Sequence, residues 1–310
     1  MTSRTSQIKH ILLSFAILAA VCGVPAIAQK KSDEVTVSRC WSYPVEGGLD
    51  VAKGESGIFI ARDGGVVEGL SPAGVKQWST ELGGTIVSNV EPKFTSVLVV
   101  TAAADGKGAQ LRSLSTETGV VKWSVPVQAA KKYSILYFEL TILVTTDDGS
   151  MESFTAADGK HADAKLLPQP ESIDGDDLGN VVRTVNGKQI WKYRTGGSIS
   201  MTIESPEYVL VASNDNFIYS ISRSSGHVRW KYRLAGRIAS MQTLGSDMLI
   251  VAASSEDGLV LLQTAKGRSA GRVSLGDDET AADVEPLDDG SFLVLTGSSL
   301  DRYSVGACAK

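Results

Sequence analysis

The sequence predicts an all-β fold, a single β-propeller of four-stranded blades, on three observations. Each of the five tryptophans closes a short polar or β-branched run: Cys40-Trp41, Gln77-Trp78, Lys122-Trp123, Ile190-Trp191 and Arg229-Trp230. A glycine stands four residues before four of them, at Gly74, Gly119, Gly187 and Gly226. With Gly159 and Gly267 the series runs from Gly74 at spacings of 45, 40, 28, 39 and 41 residues, the period of a repeat array. The clearest two copies are the eight residues from Gly187 to Arg194 and those from Gly226 to Arg233, 39 residues apart.

The chain of 310 residues begins with Arg4 and Lys9 ahead of an apolar run over 11–24, followed by Ala26-Ile27-Ala28. This pattern reads as a secretory signal over 1–28, with Gln29 as the first mature residue and 29–310 as the propeller domain. The run is too short for a membrane span, and no second apolar run follows it. Cys22 is preceded by Ala19-Ala20-Val21, without the leucine of a lipidation signal. Loss of Arg4 and Lys9 moves the formal charge from −5 to −7. With no basic block in the chain, nucleic acid is not an expected partner. The mature protein is expected to be a periplasmic or secreted monomer.

Within one repeat, Tyr208 to Ala212, Phe217 to Ser222 and the tryptophan run read as strands separated by Asn214-Asp215-Asn216 and Ser224-Ser225-Gly226. Asp63-Gly64, Asp148-Gly149 and Asp257-Gly258 occupy the tight turn between second and third strands. Such units cannot bury a core singly, and radial packing covers their faces while leaving short edges. Blades ending near Trp78, Trp123, Asp163, Trp191, Trp230 and Gly271, plus a last one, make seven, with six and eight as alternatives. The fourth, 164–193, is short, and Pro168, Pro170 and Asp174-Gly175-Asp176-Asp177 read as a loop replacing its inner strand. The last blade has Ser291 to Thr296 and Ser299 to Val305 but no tryptophan strand, and Val35 to Tyr43 is expected to supply it and close the ring. That closure brings Cys40 beside Cys308, and an oxidising compartment would join them as a disulfide.

The Gly-x-x-x-Trp unit after a short third strand, with Asp-Gly before that strand, resembles the pyrroloquinoline-quinone-type propeller repeat. Quinoprotein dehydrogenases share this repeat with the propeller subunit of the bacterial outer-membrane barrel-assembly machinery. The resemblance implies that Trp41, Trp78, Trp123, Trp191 and Trp230 staple neighbouring blades, with Gly74, Gly119, Gly187 and Gly226 as structural repeat positions. The dehydrogenases carry adjacent cysteines, and no Cys-Cys occurs here. Asp174, Asp176 and Asp177 lack the spacing of a calcium loop. Only His161 and His227 remain after the leader, with no Gly-x-Ser-x-Gly or His-Glu-x-x-His spacing.

No enzyme activity, catalytic residue, cofactor or metal site is therefore expected. The chain reads as a scaffold that binds a protein partner through loops or strand edges, in the manner of envelope protein assembly. The alternative is a small-ligand or quinone-binding sensor, or a dehydrogenase-like protein, using the central channel. First strands such as 198–203 and 237–241 are small and apolar, which favours a packed centre. Loops between blades include Gly83-Gly84, Gly196-Gly197 and Ala235-Gly236. Asp63, Asp148, Asp215 and Asp257 read as turn formers, with an acidic rim for a basic partner as the other reading.

Overall fold

The structure is a computed structural model that describes residues 34–103, 105–138, 140–163, 171–254, 258–275 and 279–308. The leader, Cys22, Gln29, Pro168, Pro170 and Asp257 lie outside the described residues. All regular structure in the described part is β, in seven antiparallel sheets. In chain order, sheet A holds Gly48–Lys53, Ile58–Arg62, Val66–Leu70 and Lys76–Glu81. Sheet B holds Thr85–Ile86 and Glu91–Lys93, a split first strand, then Ser96–Ala102, Ala109–Ser115 and Val121–Val127. Sheet C has three strands, Tyr133–Phe138, Thr141–Thr146 and Met151–Thr155, and sheet D three, Glu171–Gly175, Asn180–Val185 and Lys188–Arg194. Sheet E holds Ile199–Glu204, Tyr208–Ser213, Phe217–Ser222 and Val228–Arg233, and sheet F holds Ile238–Leu244, Met248–Ala253, Leu259–Gln263 and Ser269–Val273. Sheet G holds Ala281–Pro286, Ser291–Thr296 and Ser299–Val305, and its fourth, outermost strand is Val37–Pro44.

The strand sequences follow from their depth. Second strands such as Val97 to Val100 and Leu249 to Ala253 are apolar without alternation, because both of their faces are covered by neighbouring sheets. Outer strands alternate instead, as in Val228–Arg233, because they lie at the rim. Hydrophobic clusters fill the spaces between consecutive sheets: A with B around Phe59 and Val97, B with C around Leu98 and Ile135, and D with E around Ile173 and Val211. E packs on F around Leu210 and Val251, F on G around Ile250 and Phe292, and G on A around Ile60 and Leu295. This is a β-propeller.

Ring closure uses the N-terminal strand. Val37 pairs with Val305 and Pro44 with Ser299, so the first and last described segments share one sheet. The register shifts between Arg39 and Trp41, leaving Cys40 as the bulged residue, and Cys40 is disulfide-bonded to Cys308. The same shift falls one residue before the tryptophan at Trp78, Trp123, Trp191 and Trp230, and before Gly271 in sheet F. A bulge rotates the strand locally, so the repeat places its large ring immediately after the kink. A polar knot reinforces the closure from sheet G to sheet A. The carboxylate of Glu68, fully buried, accepts from Tyr43 at 3.2 Å and from Arg62 and Lys76 at 2.8 Å each. Burial works against the charge of Glu68, but the Lys76 hydrogen bond and the Arg62 charge outweigh it and hold the carboxyl below its usual range.

Each tryptophan ring lies on the glycine of the next sheet. A methyl group on Gly74 would come closer than 3.0 Å to Trp41, and the same is true of Gly119 with Trp78, Gly159 with Trp123, Gly226 with Trp191 and Gly267 with Trp230. Three of the indole N–H groups then reach the carbonyl three residues before that glycine: Trp78 to Thr116 at 2.9 Å, Trp191 to Arg223 at 2.8 Å and Trp230 to Thr264 at 2.8 Å. Gly187 is the exception, with nothing within 4 Å of such a methyl group, because sheet C offers no tryptophan. The comparison separates packing from backbone strain. Gly119 and Gly187 both sit at positive φ, +68° and +74°, so alanine strains either. Gly119→Ala is expected to lose about 3 kcal/mol and Gly187→Ala about 1 kcal/mol, read by urea unfolding. Removing the disulfide with Cys308→Ser is expected to cost about 2–5 kcal/mol and to expose the amides of 37–44 to hydrogen exchange before those of sheet E.

Candidate functional site

The first strands of the sheets line the axis, and several carry a bulge at the same level. The register shifts between Gly48 and Asp50, between Ile199 and Met201, between Ile238 and Ser240, and between Ala281 and Asp283. The residues following the bulge are therefore equivalent: Met201 in sheet E, Ser240 in F, Asp283 in G and Asp50 in A. The Ser240 hydroxyl donates to Asp283 Oδ1 at 3.1 Å, and Asp283 also accepts from the backbone of Val51. Asp50 and Asp283 hydrogen-bond to each other, and Asp50 Oδ2 accepts from the Val90 N–H at 2.5 Å. One chain of hydrogen bonds thus crosses sheets F, G, A and B.

More carboxyls border this pair. Glu285 accepts from the Lys53 N–H at 3.3 Å, while the Lys53 ammonium pairs with Asp288. Asn89 donates to Glu91 at 3.3 Å and clasps Ile135 of sheet C, accepting from its N–H at 2.8 Å and donating to its carbonyl at 3.3 Å. Burial, followed by the nearby charge of Asp283, pushes Asp50 up to about 8. Burial also raises Asp283 and Glu91, and it lifts Glu285 to about 7 against the opposing Lys53 N–H. Burial and then the Glu91 charge move Tyr137 to about 12. Two carboxyls that touch cannot both ionise cheaply, so the Asp50–Asp283 pair retains a proton near neutral pH. Chemically the layer is a belt of buried, hydrogen-bonded carboxyls. Among the described residues no group of three or more His, Cys, Asp or Glu side chains could hold a metal ion.

The sequence-predicted positions do not converge on one pocket; they encircle the molecule, as the tryptophans and glycines above show. Of the turn acids, Asp215 and Asp148 are engaged locally. Asp215 accepts from the N–H groups of Phe217 and Gly196 and from the Tyr219 hydroxyl at 2.6 Å. Asp148 accepts from the Ser150 N–H and the Thr146 hydroxyl. In the Asp174–Asp177 stretch, which the sequence predicts to be a loop, Asp174 and Gly175 instead end the strand Glu171–Gly175, and Asp176 accepts from the N–H groups of Leu178 and Asn180, the geometry of a side-chain-stabilised turn. His161 stacks on Phe154 with ring centroids 4.8 Å apart.

The reading of small, apolar first strands holds for 198–203 and fails for sheets A and G, where Asp50, Asp283 and Glu285 face their neighbours. Sequence reasoning missed this belt. A signal was present, because Gly48–Lys53 and Ala281–Pro286 share an Asp-Val pair at the same repeat position, Asp50-Val51 and Asp283-Val284.

The model of the family described as outer membrane protein assembly factor BamB matches residues 62–164 and 178–299 of the chain. Among solved structures, BamB from Moraxella catarrhalis superposes with a TM-score of 0.64 at 14% identity, covering 89% of this chain and 99% of that one. The WD40 β-propeller domain of Doa1 superposes with a TM-score of 0.65 at 12% identity, covering 87% and 97%. At these identities the structural likeness shows the fold. A comparison with curated proteins gave no match.

The belt makes stability depend on pH. The folded pKa values of Asp50 and Glu285 lie above their ordinary ones, so their contribution is complete below the unfolded value and is lost as pH rises through about 7 for Glu285 and about 8 for Asp50. The unfolding free energy measured by urea titration is expected to fall as pH rises through this window. Asp50→Asn, which cannot ionise, is expected to flatten the fall.

Proposed function

The chain belongs to the outer membrane protein assembly factor BamB family, and from this premise we propose that it is an exported, non-catalytic propeller scaffold that binds protein partners during outer-membrane protein assembly. The observation that carries the reading is the family match, which runs through strands of all seven sheets rather than one repeat. The propeller geometry is consistent with it. A closed ring of sheets presents loops at two mouths and strand edges at the rim, which suits protein docking. The buried Asp50–Asp283 pair, with Ser240 and the Val90 N–H, bridges sheets F, G, A and B at the axis and so ties the ring together. Export over 1–28 accords with the Cys40–Cys308 disulfide, since such bonds persist in oxidising compartments. The mature protein acts as a monomer in the periplasm.

Crosslinking the mature protein in its own cell envelope, followed by mass spectrometry, tests the reading. Outer-membrane assembly proteins are the expected partners, with the chain itself in the periplasmic fraction. A parallel titration with pyrroloquinoline quinone and calcium supplies the contrary result: saturable quinone binding with no protein partner would replace the scaffold with a cofactor-dependent protein.

A further inference from the structure

The outer strands of sheets D and E differ in charge from other strands of the rim. The first and third residues after the tryptophan are exposed on each of these strands. They are Ser79 and Glu81 in sheet A, Ser124 and Pro126 in sheet B, and Ser42 and Pro44 in sheet G. In sheets D and E they are Lys192 and Arg194, and Lys231 and Arg233. The packing of the repeat therefore does not require cations at these positions. Lys188 and Arg229, also exposed, lengthen the two rows. Residues 187–233 carry seven Lys and Arg against three Asp and Glu, in a chain whose net charge is −5. The linear sequence shows two short basic runs, and the 39-residue offset of the repeat sets them on the outer strands of consecutive, packed sheets.

Other arginines of these two sheets are neutralised. Arg183 and Arg223 both pair with Glu171, at 2.9 and 2.7 Å, and Arg223 pairs also with Glu204 at 2.8 Å. Among the described residues none of the six rim cations is in an ion pair. Acids in the adjoining turns are already engaged: Asp176 accepts from the N–H groups of Leu178 and Asn180, and Asp215 from Gly196, Phe217 and Tyr219. Asp177 and Glu207 stand in turns, off the two outer strands. Three of the cationic side chains lie over aromatic rings, Arg229 at 4.7 Å from the Tyr208 centroid, and Lys231 and Arg233 at 5.1 and 5.9 Å from that of Phe217. The rings support the side chains without neutralising them. Rows of like charge repel one another, and contact with a negative surface relieves that repulsion.

We propose that the rim of sheets D and E docks on an anionic membrane surface, where its Lys and Arg side chains meet headgroup phosphates. The charges are spread along the outer strands of two sheets, and a laterally mobile array of headgroups meets such a spread more fully than one protein segment following one row. Ile190, 46% exposed between Lys188 and Lys192, adds an apolar contact at the headgroup boundary. The inference goes beyond the scaffold reading, which concerns protein partners, and adds a lipid surface on which the scaffold rests.

The test uses the purified mature chain in sedimentation with two kinds of vesicle, phosphatidylcholine alone and phosphatidylcholine mixed with anionic phosphatidylglycerol. Binding is expected to the anionic vesicles only, with release at about 1 M salt, where the Debye length falls to about 3 Å. Each Lys or Arg near an anionic surface strengthens binding about fivefold, so the triple variant Lys192→Gln, Lys231→Gln, Arg233→Gln is expected to weaken it about a hundredfold while its melting curve matches the parent. A control with the same change in net charge, Lys107→Gln, Lys131→Gln, Lys132→Gln, alters exposed lysines away from this rim and is expected to bind as the parent does. No binding to the anionic vesicles, equal binding by the rim variant, or an equal loss in the control overturns the inference. Saturable binding of soluble poly-glutamate without vesicle binding overturns it too, and assigns the rim to an acidic protein segment. If vesicle binding fails while envelope crosslinking still recovers assembly proteins, the membrane contact falls and the scaffold stands; if crosslinking fails while the vesicles bind as described, the reverse holds.

Discussion

The structure depends on one contact, an indole ring of one sheet lying on a glycine of the next. A four-stranded sheet of this size cannot remain folded alone, and its stability comes from area shared with neighbours. A tryptophan buries on the order of 150–250 Å², and it reaches that value only where the facing backbone has no side chain. The glycine removes the obstruction and the bulge before the tryptophan aims the ring, so three local features act as one device. Because every staple joins consecutive sheets, the order of the repeats along the chain becomes their order around the axis.

A ring also has to close, and closure concentrates polar chemistry at the seam. The outermost strand of sheet G comes from the start of the domain, so sheets G and A are held by a strand pairing, the Cys40–Cys308 bond and the buried Glu68 knot at once. The axial hydrogen bonds from Ser240 through Asp283 and Asp50 to Val90 cross the same seam. Hydrogen bonds between carboxyls in a desolvated layer form well only when a proton is retained, so this reinforcement is strongest in acid and weakens in base. The BamB family fold thus carries, in this chain, a pH-sensitive clasp beside its covalent one.

Opposite in character is the junction between sheets C and D, which among the described residues has neither staple nor shared core. Among the described residues, six junctions share a packed core and hold the architecture.

The sequence by itself determined the repeat and the architecture. The Gly-x-x-x-Trp unit, the Asp-Gly turns and the lone N-terminal strand were legible because turn chemistry and large-ring packing are local requirements that recur in every copy. The closing strand and the Cys40–Cys308 pair followed from the same count, with the strand found at Val37–Pro44 rather than Val35 to Tyr43. The short fourth unit was legible as a defect. Only the tertiary structure decided which strands the described part of that unit forms, because a strand's place in a sheet is set by pairing with its neighbours and not by its own residues. The axial carboxyls are the same case: Asp50 and Asp283 are 233 residues apart, and each looks like an ordinary surface acid until ring closure sets them side by side and removes their water.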